Sequence, residues 1–152
     1  MCWLTRVLFA AVCATLAGCG AVAIQQGQEA MPIYNNGLVL LKQGRHDAAI
    51  AEFDRAISIA PRFEAAYVSR GDAYAAKGDH DRAIAAYTTL LAMTKLPGSA
   101  HIRRARVYFA KADYACAWDD VDAALRLGAD PKLNAEFDAL IKQLQAASGR
   151  EK

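Results

Sequence analysis

The tightest constraint on the fold is a ten-residue phrase that occurs twice. Gly44-Arg45-His46-Asp47-Ala48-Ala49-Ile50-Ala51-Glu52-Phe53 returns 34 residues later as Gly78-Asp79-His80-Asp81-Arg82-Ala83-Ile84-Ala85-Ala86-Tyr87, with six of the ten residues identical and an aromatic last both times. A period of this size marks a supersecondary unit that cannot bury its apolar face alone and must stack on copies of itself. Taking Ala49, Ala83 and Ala117 as one structural position gives three units, Ala30–Phe63, Glu64–Pro97 and Gly98–Pro131. The second half of each carries an i, i+1, i+4, i+7, i+8 apolar stripe: Ala49, Ile50, Phe53, Ala56 and Ile57, then Ala83, Ile84, Tyr87, Leu90 and Leu91, then Ala117, Trp118, Val121, Ala124 and Leu125. That is the period of an amphipathic helix. The fold class is therefore all-α, a helix–turn–helix solenoid.

The unit boundaries follow from the breakers. Pro32 suits an opening turn, where its missing N–H costs little, and helical residues run from there to Gln43 before Gly44. After Asp130-Pro131, a cap and first-turn pair, a last helix runs over residues 132–147 with Leu133, Phe137, Leu140, Ile141 and Leu144 on one face. Such a helix closes the exposed end of a solenoid and offers its polar face to water. A short polar tail, 148–152, ends the chain.

These residues resemble the tetratricopeptide repeat, a 34-residue helix–turn–helix with a W-x2-L-G-x2-Y…A-x3-F…P pattern. The matching positions hold Gly37, Gly71, Tyr74, Tyr108, Ala49, Ala83, Ala117, Phe53, Tyr87 and Pro61. Packing between paired helices is the role the resemblance implies for them, small residues standing where backbones cross. The departures are specific. The opening aromatic becomes Ile33, Tyr67 and His101; the packing leucine becomes Asn36, Arg70 and Arg104; and in the third unit both glycines become Ala105 and Ala112, so a different turn is expected there.

The N-terminal segment reads as an address. Arg6 precedes an uncharged run from Val7 to Ile24, and a charged start, an apolar core and a small-residue site make a secretory signal. Leu16-Ala17-Gly18-Cys19 resembles the lipobox of bacterial lipoproteins. The resemblance implies cleavage of a signal peptide, 1–18, and diacylglyceryl attachment with further acylation (palmitate) at Cys19. Several acyl chains anchor a protein stably where one does not. Gly20 is not the aspartate that retains such lipoproteins at the inner membrane, so in a Gram-negative host the outer membrane is favoured, with the repeats facing the periplasm. Residues 19–29 then form the lipidated cysteine and a tether, and 30–147 the repeat domain. An uncleaved transmembrane anchor and ordinary secretion are the alternatives, since 18 uncharged residues just reach spanning length.

Charge and chemistry exclude more than they assign. A net charge of +2 with interspersed signs is not the basic footprint of a nucleic-acid binder. No cysteine pair or Cys/His cluster has metal-ligand spacing, and serine-hydrolase, phosphate-loop and zinc motifs are absent, so neither a metal nor another cofactor is expected. His46 and His80 precede Asp47 and Asp81 in the repeated phrase, but no nucleophile repeats beside them; turn residues are the expectation. Asp119, Asp120 and Asp122 read as a solvated acidic face, and Arg103, Arg104 and Arg106 as its partners or as solvated charges. Cys116 reads as a small helix residue.

A surface is the better functional candidate. By the family's offset, Tyr34, Leu38, Leu41, Val68, Asp72, Ile102, Arg106 and Phe109 face the concave groove in which relatives hold peptides. The carboxylate clamp of chaperone-binding relatives has only Arg103 here, its other positions holding Tyr34, Leu38, Ser69 and Ser99. A mostly apolar groove suits an amphipathic helix or apolar peptide. The expectation is a membrane-tethered, non-enzymatic scaffold for other cell-envelope proteins. A pilotin-like carrier of an outer-membrane secretion or pilus subunit is the alternative, self-association into a homo-oligomer is compatible with either, and an envelope hydrolase is the remaining class.

Overall fold

Small residues decide how the helices of each unit meet. In the computed structural model, which describes residues 25–131 and 134–149, seven helices follow one another. They are α1 (described over residues 25–42), α2 (His46–Ile59), α3 (Glu64–Lys77), α4 (His80–Met93), α5 (Pro97–Ala110), α6 (Tyr114–Arg126) and α7 (Ala135–Ser148). Each of α2 to α6 packs on the next, and α7 packs on α6 and α5. No strand occurs among the described residues.

Within a unit, the aromatic of the second helix lies flat against the glycine of the first. A Cβ on Gly37 would meet Phe53 Cε1 at 2.5 Å, and one on Gly71 would meet Tyr87 Cε1 at 2.6 Å. Phe53 and Tyr87 are thereby sealed, at 0% and 1% exposure. The third unit makes the complementary choice: Ala105 takes the glycine position and the smaller Val121 the aromatic one, and both are fully buried. Ala49, Ala83 and Ala117 are also fully buried, while Tyr74 and Tyr108 are half-buried beneath Arg82 and Arg104, whose guanidinium carbons lie 5.0 and 5.9 Å from the ring centres.

The turns inside the units are closed by the same pair of backbone bonds. Gly44 N–H donates to Leu41 O and Arg45 N–H to Leu40 O, Gly78 to Ala75 and Asp79 to Tyr74, Ala112 to Phe109 and Asp113 to Tyr108, all at 2.9–3.0 Å. The geometry is a Schellman close, which requires a left-handed residue. Gly44 and Gly78 take it at φ 71° and 83°, and Ala112 takes it at φ 59° without glycine's freedom. The different turn expected in the third unit is therefore corrected: stacking imposes the same turn and an alanine bears the strain. The Asp79 and Asp113 side chains then cap α4 and α6 by accepting from the Arg82 and Cys116 N–H groups.

Three boundaries also move. The helix already runs through residues 25–29, the last five assigned to the tether, so Pro32 lies inside α1 rather than in its opening turn. The reason is packing. Ala30 is fully buried in a cluster with Ala56 and Ala66, against which Ile33 and Tyr34 pack. Anchoring on both sides of Pro32 outweighs the lost hydrogen bond of an interior proline. At the other end α7 starts at Ala135, capped by Asn134 accepting from Phe137 N–H at 3.1 Å, and not at Asp130-Pro131. Phe137, Leu140, Ile141 and Leu144 of its stripe are buried with Trp118 and Val121 of α6. Leu133, like Leu16, Ala17, Gly18, Cys19 and the rest of the signal segment, lies outside the described residues.

Two stability outcomes follow. Ala112→Gly should raise the unfolding free energy by up to about 1 kcal/mol, since the left-handed penalty of about 1–2 kcal/mol for a non-glycine exceeds the flexibility cost of glycine. Gly71→Ala should lower it by about 1–3 kcal/mol through overpacking on Tyr87. Urea midpoints at unchanged m-value measure both.

Candidate functional site

The first helices of the units, α1, α3 and α5, carry the eight residues assigned to the groove, and the structure treats them unequally. Tyr34, Leu38 and Leu41 on α1 are half-buried against Ala49, Ile50, Phe53 and Ala73. The Tyr34 ring also meets Phe63 in a tilted contact, with ring centres 4.9 Å apart, and its hydroxyl meets Ser69 Oγ at 3.2 Å. Val68 is half-buried against Tyr67, Leu90 and Ala100. Ile102 is buried in the cluster that α5 forms with α6 and α7, which corrects its assignment to an open groove. Phe109 is half-buried and meets Tyr114 in a tilted ring contact, with ring centres 5.8 Å apart. Asp72 and Arg106 alone enter the main cleft.

That cleft, of about 560 Å³, opens between α3, α5 and the start of α7, with His80 and Tyr87 contributed by α4. Ala75, Ala76, Val107 and Ala110 make its apolar surface; Asp72, Arg103, Arg106 and Glu136 supply the charge. The expectation of a mostly apolar groove is thus corrected where the groove is open. Its apolar N-terminal part is engaged in packing α1, and the free space lies over charged residues.

The charges are arranged in pairs. Arg103 Nη1 donates to both oxygens of Asp72 at 2.8 Å, and the Tyr87 hydroxyl donates to Asp72 Oδ1 at 2.6 Å. Burial, followed by the neighbouring Asp72 carboxylate, pushes the Tyr87 phenol far above its usual pKa, so it remains a donor at any ordinary pH. Arg106 Nη1 donates to Glu136 of α7 at 3.0 Å. Arg103, the one residue shared with the carboxylate clamp, is held inside the protein's own network.

A second polar cluster sits behind the groove. Asp120 is only 3% exposed and accepts two bonds from Arg104 at 2.8 Å and one contact with His101 Nδ1 at 2.7 Å. The Asp120 bond raises the Arg104 pKa further. The acidic run is therefore not a uniformly solvated face: its middle member is a buried carboxylate. Two departures from the repeat pattern, His101 and Arg104, come together around it. Equivalent Lys–Asp pairs also join consecutive units, Lys77 to Asp47 and Lys111 to Asp81, and those bonds hold both carboxyls below their ordinary pKa. His46 and His80 open α2 and α4, their Nδ1 atoms shielded and without partners. Cys116 is half-buried, and the Asp113 carboxylate it bonds raises its thiol pKa, the reverse of an activated nucleophile. Among the described residues no group of His, Cys, Asp and Glu could hold a metal ion, and no helix is long and apolar enough to cross a membrane.

Comparison with known sequence families agrees with the glycine-on-aromatic packing. A family described as TPR repeat matches residues 37–78, and one described as tetratricopeptide repeat matches residues 68–133. Residues 37–133 are built of tetratricopeptide repeats. No curated protein matches it in sequence. Among solved structures, the first TPR of Spaghetti (RPAP3) bound to an HSP90 peptide superposes with a TM-score of 0.72 at 22% identity, over 82% of this chain and 96% of that one. The Yersinia enterocolitica type III secretion chaperone SycD, in complex with a peptide of the translocator YopD, gives 0.71 at 18%, over 80% and 94%. The TPR2B domain of yeast Sti1, in its pHsp70 complex, gives 0.68 at 22%, over 84% and 99%. At these identities the likeness is one of fold. A TPR domain of this form is suited to binding peptides or other proteins.

The buried carboxylate yields a direct test of how the third repeat is held. Asp120→Asn should cost about 2–3 kcal/mol, because it leaves the half-buried Arg104 without its counter-charge. A urea midpoint unchanged from the parent would contradict that role.

Proposed function

We propose that this TPR protein is a non-enzymatic scaffold that holds peptides or helices of other cell-envelope proteins, tethered to the membrane through a lipidated Cys19. The observation that carries the binding half is the cleft between α3, α5 and α7. It is about 560 Å³, concave, floored by alanines and edged by positioned guanidinium groups. Small residues there leave room for an incoming chain, and charged groups at the edge fix its orientation. Fold relatives solved with peptides bound, such as SycD with its YopD peptide, support the same use of the surface.

The membrane half rests on Leu16-Ala17-Gly18-Cys19 and the charged, apolar start before it. With the helix described from residue 25, five residues, 20–24, separate it from Cys19, a reach of at most about 20 Å. The groove would then work close to the bilayer surface. Gly20 favours the outer membrane of a Gram-negative host, with the repeats in the periplasm.

Two experiments separate the halves. Cys19→Ala should leave the precursor uncut and abolish the acyl mass increment; an unchanged mass spectrum would end the lipoprotein reading. Ala76→Arg with Ala110→Arg fills the cleft from two exposed positions without touching the core. Proteins crosslinked to the parent in intact envelopes should be lost at unchanged helicity; their retention would move the binding surface elsewhere.

A further inference from the structure

The Arg106–Glu136 pair stands at a partition. The 560 Å³ cleft on the α3 side and a second cleft of about 330 Å³ on the α7 side share these two residues in their walls. The second cleft is otherwise lined by Phe109, Ala139, Leu140 and Gln143. One ion pair, contributed by α5 and the first turn of α7, therefore bars what would be a continuous groove.

We infer that Glu136 is a built-in stand-in for a partner's carboxylate: an acidic side chain on a bound peptide replaces it at Arg106, joining the two clefts and admitting a neighbouring apolar side chain against Phe109 and Leu140. This rests on the groove-binding reading above and names the chemistry it recognises. Three observations carry it. First, the bar is weak. Both side chains are exposed, at 53% for Arg106 and 77% for Glu136, and a single guanidinium nitrogen makes the contact. Solvated pairs of this kind contribute at most about 1 kcal/mol.

Second, α7 does not depend on the bar. Phe137, Leu140, Ile141 and Leu144 hold the helix in the core, so releasing Glu136 leaves it docked. Third, the donors are in excess. A guanidinium has five N–H donors. Arg106 meets Glu136 through Nη1, whereas Asp72 already accepts three bonds. Arg103 is fixed by Asp72 and Tyr87, which leaves Arg106, three residues on along the same helix face, as the arginine free to change partners. A ligand that complements this surface brings an acceptor, and a planar carboxylate matches the fork of an arginine. Phe109 and Ala139 in the second cleft offer an apolar contact to a Leu, Ile, Met or Phe beside it.

The test uses a displayed library of random 12-residue peptides panned against the full chain. Peptides pairing an Asp or Glu with a large apolar residue are expected to be enriched. Arg106→Gln should lose that enrichment, and Glu136→Gln should bind the same peptides up to about fivefold more tightly, the equivalent of removing a solvated competitor. Both variants alter exposed side chains, and circular dichroism with the urea midpoint checks that they fold. Enrichment of peptides without an acid, or selection indifferent to Arg106→Gln, would overturn this inference and leave groove binding standing. Enrichment of no peptide would overturn both. Binding to phosphatidylglycerol vesicles that depends on Arg106, with no acidic peptide selected, would assign the arginine to lipid phosphate and also overturn it.

Discussion

A flat aromatic ring on a glycine sets the distance between the paired helices, and the rest of the molecule follows from that distance. Phe53 on Gly37 and Tyr87 on Gly71 leave no room for even one methyl group. With the pair fixed, the Schellman turn has one workable geometry, and it is adopted even where Ala112 must enter the left-handed region to make it. The third unit is built by exchange: Ala105 adds a methyl group at the glycine position, and Val121 is smaller than the aromatic it replaces, so a unit without either glycine keeps the fold. Stacking then brings α3 and α5 side by side and leaves the alanine-floored cleft between them. The cleft is thus a by-product of a packing distance, and the charged residues carried by the first helices decide which groups line it.

Electrostatics in this fold divide by depth. At the rim of the stack, Lys77–Asp47 and Lys111–Asp81 repeat with the period and, being solvated, contribute register more than stability. In the interior, Asp120 with Arg104 and His101 is a local invention of the third unit. It replaces the aromatic and leucine of the repeat pattern by a hydrogen-bonded charge cluster, which is tolerable because every oxygen of the carboxylate is engaged. On the concave face the pairs do neither job. Asp72 locks Arg103, while Glu136 merely occupies Arg106.

Much of this was legible in the residues, for physical reasons. The 34-residue period, the second-helix stripes and the buried alanines are local signals, since each concerns neighbours on one helix or its partner. Asp72 and Arg106 could be placed on the concave face by offset alone. What escaped was decided by contacts distant in sequence. Pro32 reads as a helix start until Ala30 is seen buried against Ala56 and Ala66. Asp120 reads as solvated among Asp119 and Asp122 until its partners, 16 and 19 residues earlier, fold over it. Ile102 sits at a groove position, but α7 converts that position into core. One signal was available: His101 and Arg104 break the pattern one helical turn apart, and a pair of polar substitutions on a packing face calls for a buried counter-charge.

The central claim is that partners enter between α3 and α5. The most direct measurement places a photo-crosslinking amino acid either at Ala76, which lines the cleft, or at Ala85, exposed on α4 outside it. Both full-length variants are irradiated in intact cells, and the site of each crosslink is sequenced. The structure predicts discrete protein adducts from position 76 that are missing from position 85. Equal labelling from both positions, or adducts from position 85 alone, would contradict it.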